Sequence, residues 1–340
     1  MRNNIFNGSL ILLILLVICI YSCSKTELSE TANANDVYSS SLSAFFADEL
    51  ESMTFSSEIS AVNGGDITLD DGTIINIPAN SFINADGSPV SGNVEISVAT
   101  ISGNADMAMV NIPSTSNGSM LLSGGVVNIE ATQSGVNLNL DNPINISVPN
   151  SFENNTVPGE PGSINTSAND MEFFIGVEQD DGTINWELDN STTMNFNTAT
   201  NSFDFSTSQV GFINCDAFSY DPENCGDNGD ESCYTSVTLS CPQSFDPALF
   251  QVWLYFNDLS SLLGIPYNSQ NNTFEITDVL AEQTINVVVL AEKDGAFYTL
   301  KSEFMESGLP HNTTYFLDLN ESLMEQTTTD EWKDRINDLP

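Results

Sequence analysis

Four cysteines cluster late in the chain: Cys215, Cys225, Cys233 and Cys241. An even, clustered set in an exported protein reads as two disulfides, because such bridges persist only in oxidising compartments. Three connectivities are possible, and a nested arrangement, Cys215–Cys241 around Cys225–Cys233, is preferred. Zinc fits poorly, since thiolate sites use spacings as tight as Cys-x-x-Cys and these gaps are wider. The same segment carries Asp216, Asp221, Glu223, Asp227, Asp230 and Glu231, with Asn224, Asn228 and Gly229 among them. Clustered hard oxygens on a pinned loop are what Ca2+ takes, at about six to eight ligands. Asp221, Glu223, Asp227, Asp230 and Glu231 therefore form a candidate Ca2+ site, although their spacing is not that of an EF-hand. The competing reading is a solvated acidic loop. Asn84-Ala-Asp86-Gly87 is a weaker candidate and reads as a turn.

Catalytic chemistry finds little to work with. His311 is the only histidine, and it sits in the loop-like stretch Gly308-Leu-Pro310-His311-Asn312. A Ser–His–acid triad would have to use it, and no Gly-x-Ser-x-Gly elbow is present. There is no His-Glu-x-x-His, phosphate loop or dinucleotide fingerprint. Glycoside hydrolysis needs only two carboxyls and a sugar site, but 47 acidic residues make some pair inevitable. The expectation is a non-catalytic binding, adhesion or scaffold module, with a carboxylate-based glycan hydrolase or a purely structural envelope protein as the alternatives. Trp186, Trp253, Tyr255 and Phe256 could stack on sugars, yet their alternation within strands points to core packing.

The N-terminus gives an address. Arg2 precedes an apolar run, Leu10 to Tyr21, of signal-peptide length and too short for the roughly 20 residues of a bilayer span. The run ends in Ile20-Tyr21-Ser22-Cys23, which resembles the bacterial lipobox. That resemblance implies cleavage after Ser22 and acylation of Cys23, and several acyl chains anchor stably where one does not. The expected location is the cell envelope, on the outer membrane, held through lipid. Charge narrows the partners. Six basic residues face 47 acidic ones, for a net charge of −41, and no Lys, Arg or His lies between Lys25 and Lys293. Nucleic-acid affinity depends on cationic side chains, so nucleic acid is excluded; a surface protein or a glycan remains as partner.

The elements that must position these residues are strands. Short runs alternate apolar and polar residues between Gly, Asn and Asp turns: Val94 to Val98, Ile144 to Val148 and Val252 to Phe256 among them. Ile67 to Leu69 and Ile74 to Ile77 flank Asp70-Asp71-Gly72 as a hairpin. Phe173 to Glu178 and Ile184 to Leu188 flank Asp180-Asp181-Gly182 in the same way. Ser41 to Met53 reads as an amphipathic helix with Leu42, Phe45, Phe46 and Leu50 on one face. At the C-terminus, Leu323, Met324, Trp332, Ile336 and Leu339 recur at near-helical spacing, with Thr329 as cap and Glu331–Arg335 as an i,i+4 pair.

The expected fold is all-β, with two β-sandwich units joined by a disulfide-rich segment, a short N-terminal helix and a C-terminal helix. The expected segments are a signal peptide over 1–22, a tether with its short helix over 23–60, and a first β-sandwich with middle hairpins and the cysteine loop over 61–232. An immunoglobulin-like sandwich over 233–317 and a helix over 318–340 complete the chain.

Two resemblances add to this. Gly64-Gly65, Ile77-Pro78-Ala79-Asn80-Ser81-Phe82 and Gly92-Asn93-Val94-Glu-Ile96 resemble the start of a ZU5-type β-sandwich, a domain that serves elsewhere as an interaction module. Asp106-Met107, Asn111-Ile-Pro113, Thr115-Ser-Asn-Gly118, Ser123-Gly-Gly125, Ala131-Thr-Gln133, Asp170-Met171, Trp186 and Phe212-Ile-Asn-Cys215-Asp-x-Phe218 are similar to a group of Bacteroidota lipoproteins. This second likeness covers about residues 64–220. It implies an envelope role and carries no catalytic residues with it.

Overall fold

The computed structural model describes residues 34–152, 167–179, 183–218, 234–281, 283–302, 304–306, 308–309 and 313–339. Tyr38–Pro340 is one compact unit, and it is mostly β. A helix, α1 (Ala34–Ser52), leads into β1 (Thr54–Ser60), β2 (Gly65–Thr68), β3 (Ile74–Ile77), β4 (Phe82–Ile83) and β5 (Asn93–Ile101). The short helix α2 (Asn104–Met109) precedes β6 (Thr115–Ser116), the long β7 (Ser119–Gln133), β8 (Val136–Asn137), β9 (Asn139–Leu140) and β10 (Ile144–Pro149). Then come β11 (Glu172–Glu178), β12 (Ile184–Leu188), β13 (Asn195–Asn197), β14 (Ser202–Thr207) and β15 (Gly211–Phe218). The C-terminal part holds β16 (Tyr234–Ser240), β17 (Phe250–Phe256), β18 (Leu262–Gly264), β19 (Tyr267–Asn268) and β20 (Thr273–Leu280). It ends with β21 (Ile285–Lys293), β22 (Ala296–Leu300), β23 (Phe304–Glu306), β24 (Thr314–Leu317), β25 (Met324–Thr327) and helix α3 (Thr329–Asn337).

Besides the two-stranded β4–β9 sheet, the described strands pair into four larger sheets, which fall into two sets along the chain. The first set forms an eight-stranded sheet with path β1-β5-β7-β15-β11-β12 and a five-stranded sheet, β13-β14-β10-β3-β2. The second forms a four-stranded sheet, β19-β20-β16-β24, and a six-stranded sheet with path β18-β17-β21-β22-β25. The β2–β3 hairpin closes as expected, with the Asp71 carboxylate accepting from the backbone N–H of Thr73 and Gly72 at φ +95°. Gly64 cannot be replaced without rearrangement: its φ is +70°, and a Cβ would lie 2.1 Å from the Ile77 carbonyl oxygen. Asn117 and Gly118, both at positive φ, turn β6 into β7, the conformation that Asn-Gly favours in hairpins.

Strand β7 departs from simple alternation. Met120 and Leu122 face one core, and so do Val127, Ile129 and Ala131, which have the opposite parity. Leu121 and Val126 face the other core. The pairing with β15 explains the switch. Ile213 lies opposite Val127 and Asn214 opposite Val126, whereas Asp216 lies opposite Ser123. One extra residue in β7, at Gly124-Gly125, is a β-bulge, and a one-residue shift turns every later side chain to the other face. Three buried polar side chains gather there. Ser123 Oγ donates to Asn214 Oδ1 (3.0 Å), and Asn214 Nδ2 donates to Asp216 Oδ2 (2.6 Å).

The second core joins the two strand sets. It contains Ile101, Leu121, Phe174 and Trp186 from the eight-stranded sheet, with Trp253, Tyr255, Val288 and Leu290 from the six-stranded one. Leu42, Phe45 and Phe46 of α1 and Trp332 and Ile336 of α3 complete it. Phe45 meets Trp332 edge-on at 5.8 Å, and Trp253 lies 6.1 Å from Trp332. Main-chain bonds stitch the same seam: Ser114 N–H to Leu262 O (2.8 Å) and Ser123 N–H to Ser260 O (2.7 Å). Asn104 Nδ2 donates to the carbonyls of both Phe256 and Leu259. Lys333 pairs with Glu49 at 3.0 Å, tying α3 to α1.

Several expectations need correction. Cys215 and Cys241 carry buried, free thiols, so no bridge joins them and the nested pairing fails. Each sulfur packs within the first core, Cys215 on β15 of the eight-stranded sheet and Cys241 just after β16 of the four-stranded one. Cys225 and Cys233 lie outside the described residues. The expected tether is shorter than 23–60, because Thr54–Ser60 pairs with β5 along its whole length. The C-terminal helix starts later than the spacing implied. Leu323 and Met324 belong to a 3-10 turn and to β25, and Thr328 caps α3 in place of Thr329. Thr328 Oγ1 accepts from the Glu331 N–H while the Glu331 carboxylate accepts from the Thr328 N–H, a reciprocal capping box. Arg335 bonds Glu325 and the Leu300 carbonyl.

Candidate functional site

A half-open groove of about 1090 Å³ runs where the two strand sets meet. Its floor is apolar. Pro113, Phe250, Trp253, Ile265 and Pro266 line it. Gly264 lets the β18 backbone approach, since a Cβ there would lie 3.3 Å from Pro113 Cγ. Trp186, directly behind, donates through Nε1 to the Pro113 carbonyl (2.9 Å) and holds that loop in place. Pro113 is thus contacted from both sides, by Trp186 through its carbonyl and by the Gly264 backbone at its ring.

The walls are polar. One comes from the β6–β7 turn and β12, where Asn185 Oδ1 accepts the backbone N–H of Asn117 (2.8 Å). Asn111, also at positive φ, stands beside it. The opposite wall is the β19–β20 hairpin. Tyr267 donates its hydroxyl to Asn272 Oδ1 (2.7 Å) and packs against Phe274 with ring centroids 5.3 Å apart. A 3-10 turn, Pro247–Leu249, closes one end, with Asp246 Oδ1 accepting from the Ala248 N–H (3.0 Å). Gln251 projects from β17 between them. Among the described residues, the side-chain amides of Asn111 and Gln251 take no protein hydrogen-bond partner.

Asp246 and Glu275 are the two charged residues of the described lining. Glu275 accepts hydrogen bonds from Thr273, from Asn271 Nδ2 (2.9 Å) and from Asn268 Nδ2 (2.8 Å). Those donors stabilise the charged form and hold its carboxyl below the usual range. Burial pushes up the carboxyls of Asp106 and Asp216, and neither lines the groove. A glycosidase acid must keep its proton near neutral pH. Glu275 is tuned in the opposite direction.

Cys23, Cys225, Cys233, Asp221, Glu223, Asp227, Asp230, Glu231 and His311 all fall outside the described residues. Among the described residues, no three His, Cys, Asp or Glu side chains gather as a metal site, and no helix is long and apolar enough to cross a membrane. Burial pushes the Cys241 thiol up to about 11 and the Cys215 thiol well above its ordinary value, with Asp216 adding repulsion to the latter. Neither is a nucleophile at neutral pH. Trp186, Trp253, Tyr255 and Phe256 are all buried, as their alternation implied. Sequence reasoning missed Asn111, Asp246, Gln251, Tyr267 and Glu275 as a group. Their one local signal is the amide-rich turn Asn268 to Asn272, which by itself marks only a loop. No family model matches the chain, and no curated protein matches it either.

Proposed function

We propose that this chain is a lipid-anchored protein of the cell envelope, acylated at Cys23 and held at the outer membrane, that binds without transforming what it binds. Its two sheet pairs act as two β-sandwiches presenting one groove. The observation that carries this reading is the groove itself. Groove residues drawn from both strand sets form a preshaped concavity, and such junctions are where ligand sites concentrate. The described lining offers amides, hydroxyls and aromatic rings with no cation among them, and Glu275 is held in its charged form by three hydrogen bonds. That set can hold a ligand.

Two measurements test the proposal. Mass spectrometry of the native N-terminal peptide should find Cys23 at the terminus with its acyl chains; an unmodified or uncleaved N-terminus refutes the anchor. Reducing-end release from surface glycans should be nil for the wild type and for Asp246→Asn/Glu275→Gln alike. Turnover in the wild type that this double variant abolishes would make the groove an active site.

A further inference from the structure

We infer that the groove accepts a neutral oligosaccharide, an inference that rests on the binding reading above and names its ligand class. Charge argues first. The chain contains no Lys, Arg or His from residue 26 to residue 292, and every described segment lining the groove lies within that stretch. Phosphate, sulfate or uronate groups would find no counter-charge there, and they would face Asp246 and Glu275. A cationic ligand fits little better. Acidic residues are dense in this chain, yet the groove holds only those two among its described lining. Glu275 already accepts three side-chain hydrogen bonds from its own hairpin.

What remains is uncharged hydrogen-bonding capacity above an apolar floor. Asn111 and Gln251 each present a carbonyl and an amino group side by side. That pairing of acceptor and donors matches vicinal hydroxyls, and neither amide is used by the protein. The half-buried Tyr267 ring, steadied by Phe274 and by its bond to Asn272, provides a face for the C–H side of a sugar. The volume, about 1090 Å³, lies just above the range of small-ligand sites, roughly 300–1,000 Å³, and suits several linked rings better than one.

The experiment uses the mature ectodomain and isothermal titration with four probes: gluco-, manno- and xylo-oligosaccharides as neutral chains, and hexalysine as the cationic peptide. Affinity electrophoresis in polygalacturonate supplies the anionic arm. Two variants report on the site. Ala248→Trp fills the groove mouth from an exposed position, and Gln251→Ala removes one unpaired amide. Their melting temperatures against wild type establish that both fold. The inference expects at least one neutral oligosaccharide to bind, with affinity unchanged in 0.5 M NaCl, lowered at least tenfold in each variant, and no retardation in polygalacturonate. It is overturned if no neutral probe binds, or if binding survives Ala248→Trp. Salt-sensitive binding of hexalysine alone would overturn the ligand class while leaving the binding function standing. Release of reducing ends from a bound chain would overturn the binding-only reading.

Discussion

Asp216→Asn should remove a loss of stability that the wild type suffers as the pH rises above the ordinary carboxyl range. Asp216 is fully buried at the β7 bulge. It accepts from Asn214 Nδ2 through Oδ2, while its Oδ1 has no partner. Burial pushes its carboxyl well above the ordinary 3.8, and the bond from Asn214 offsets only part of that. A carboxyl raised on folding favours the protonated native state. Its contribution to stability is therefore greatest below the unfolded value of 3.8 and falls as pH rises from there toward the folded value. Each pH unit within that window costs about 1.4 kcal/mol. Asparagine stays neutral at every pH and keeps an acceptor for Asn214, but its second N–H lacks a partner, at a cost of about 1–3 kcal/mol. That cost is the same at every pH, so the stability of the variant relative to wild type rises with pH inside the window where the wild type loses stability. Urea unfolding of both proteins between pH 5 and pH 8 measures it, above the isoelectric region near 4.1 where solubility falls. Because every other acid is shared, general self-repulsion cancels in the difference between the two curves. Parallel stability curves across that range would refute the argument.

Trp332→Ala should destabilise the fold by about 3–5 kcal/mol, because the ring is fully buried against Phe45 and Trp253. Denaturant midpoints check this, and a loss under 1 kcal/mol would mean α3 is not integral to the second core. Peptides carrying Cys215 and Cys241 should resist iodoacetamide at pH 8 in the native state and be alkylated in 6 M guanidinium chloride; a disulfide mapped to either residue would contradict their burial as free thiols. Millimolar Ca2+ should raise the melting temperature beyond a matched NaCl control if Asp221, Glu223, Asp227, Asp230 and Glu231 bind it. An unchanged melting temperature discards that site.

The strands were legible because alternation is local. Val94 to Val98 and Ile144 to Val148 announce their buried faces residue by residue, and the Asp70-Asp71-Gly72 turn specifies its hairpin from within. Sequence alone also determined the charge, since no fold can supply the cations that the chain lacks between Lys25 and Lys293. The cap of α3 was misread by one residue because Thr328 and Thr329 are adjacent, and only the geometry selects which hydroxyl meets the Glu331 N–H. The cysteines misled for a different reason. Clustering in sequence measures contour length, whereas bridging requires side chains aimed at each other, and Cys215 and Cys241 point into apolar packing.

Tertiary structure alone decided the bulge and the groove. One extra residue in β7 has meaning only against the register of β15, and that register buries Asp216. The groove draws its lining from the 111–118 turn, β12 and the 246–277 region, parts that meet through bonds such as Ser114–Ser261, 147 residues apart in the chain. Periodicity reports which face of a strand is apolar. It carries no record of which distant face will cover it, and that juxtaposition is what makes a site.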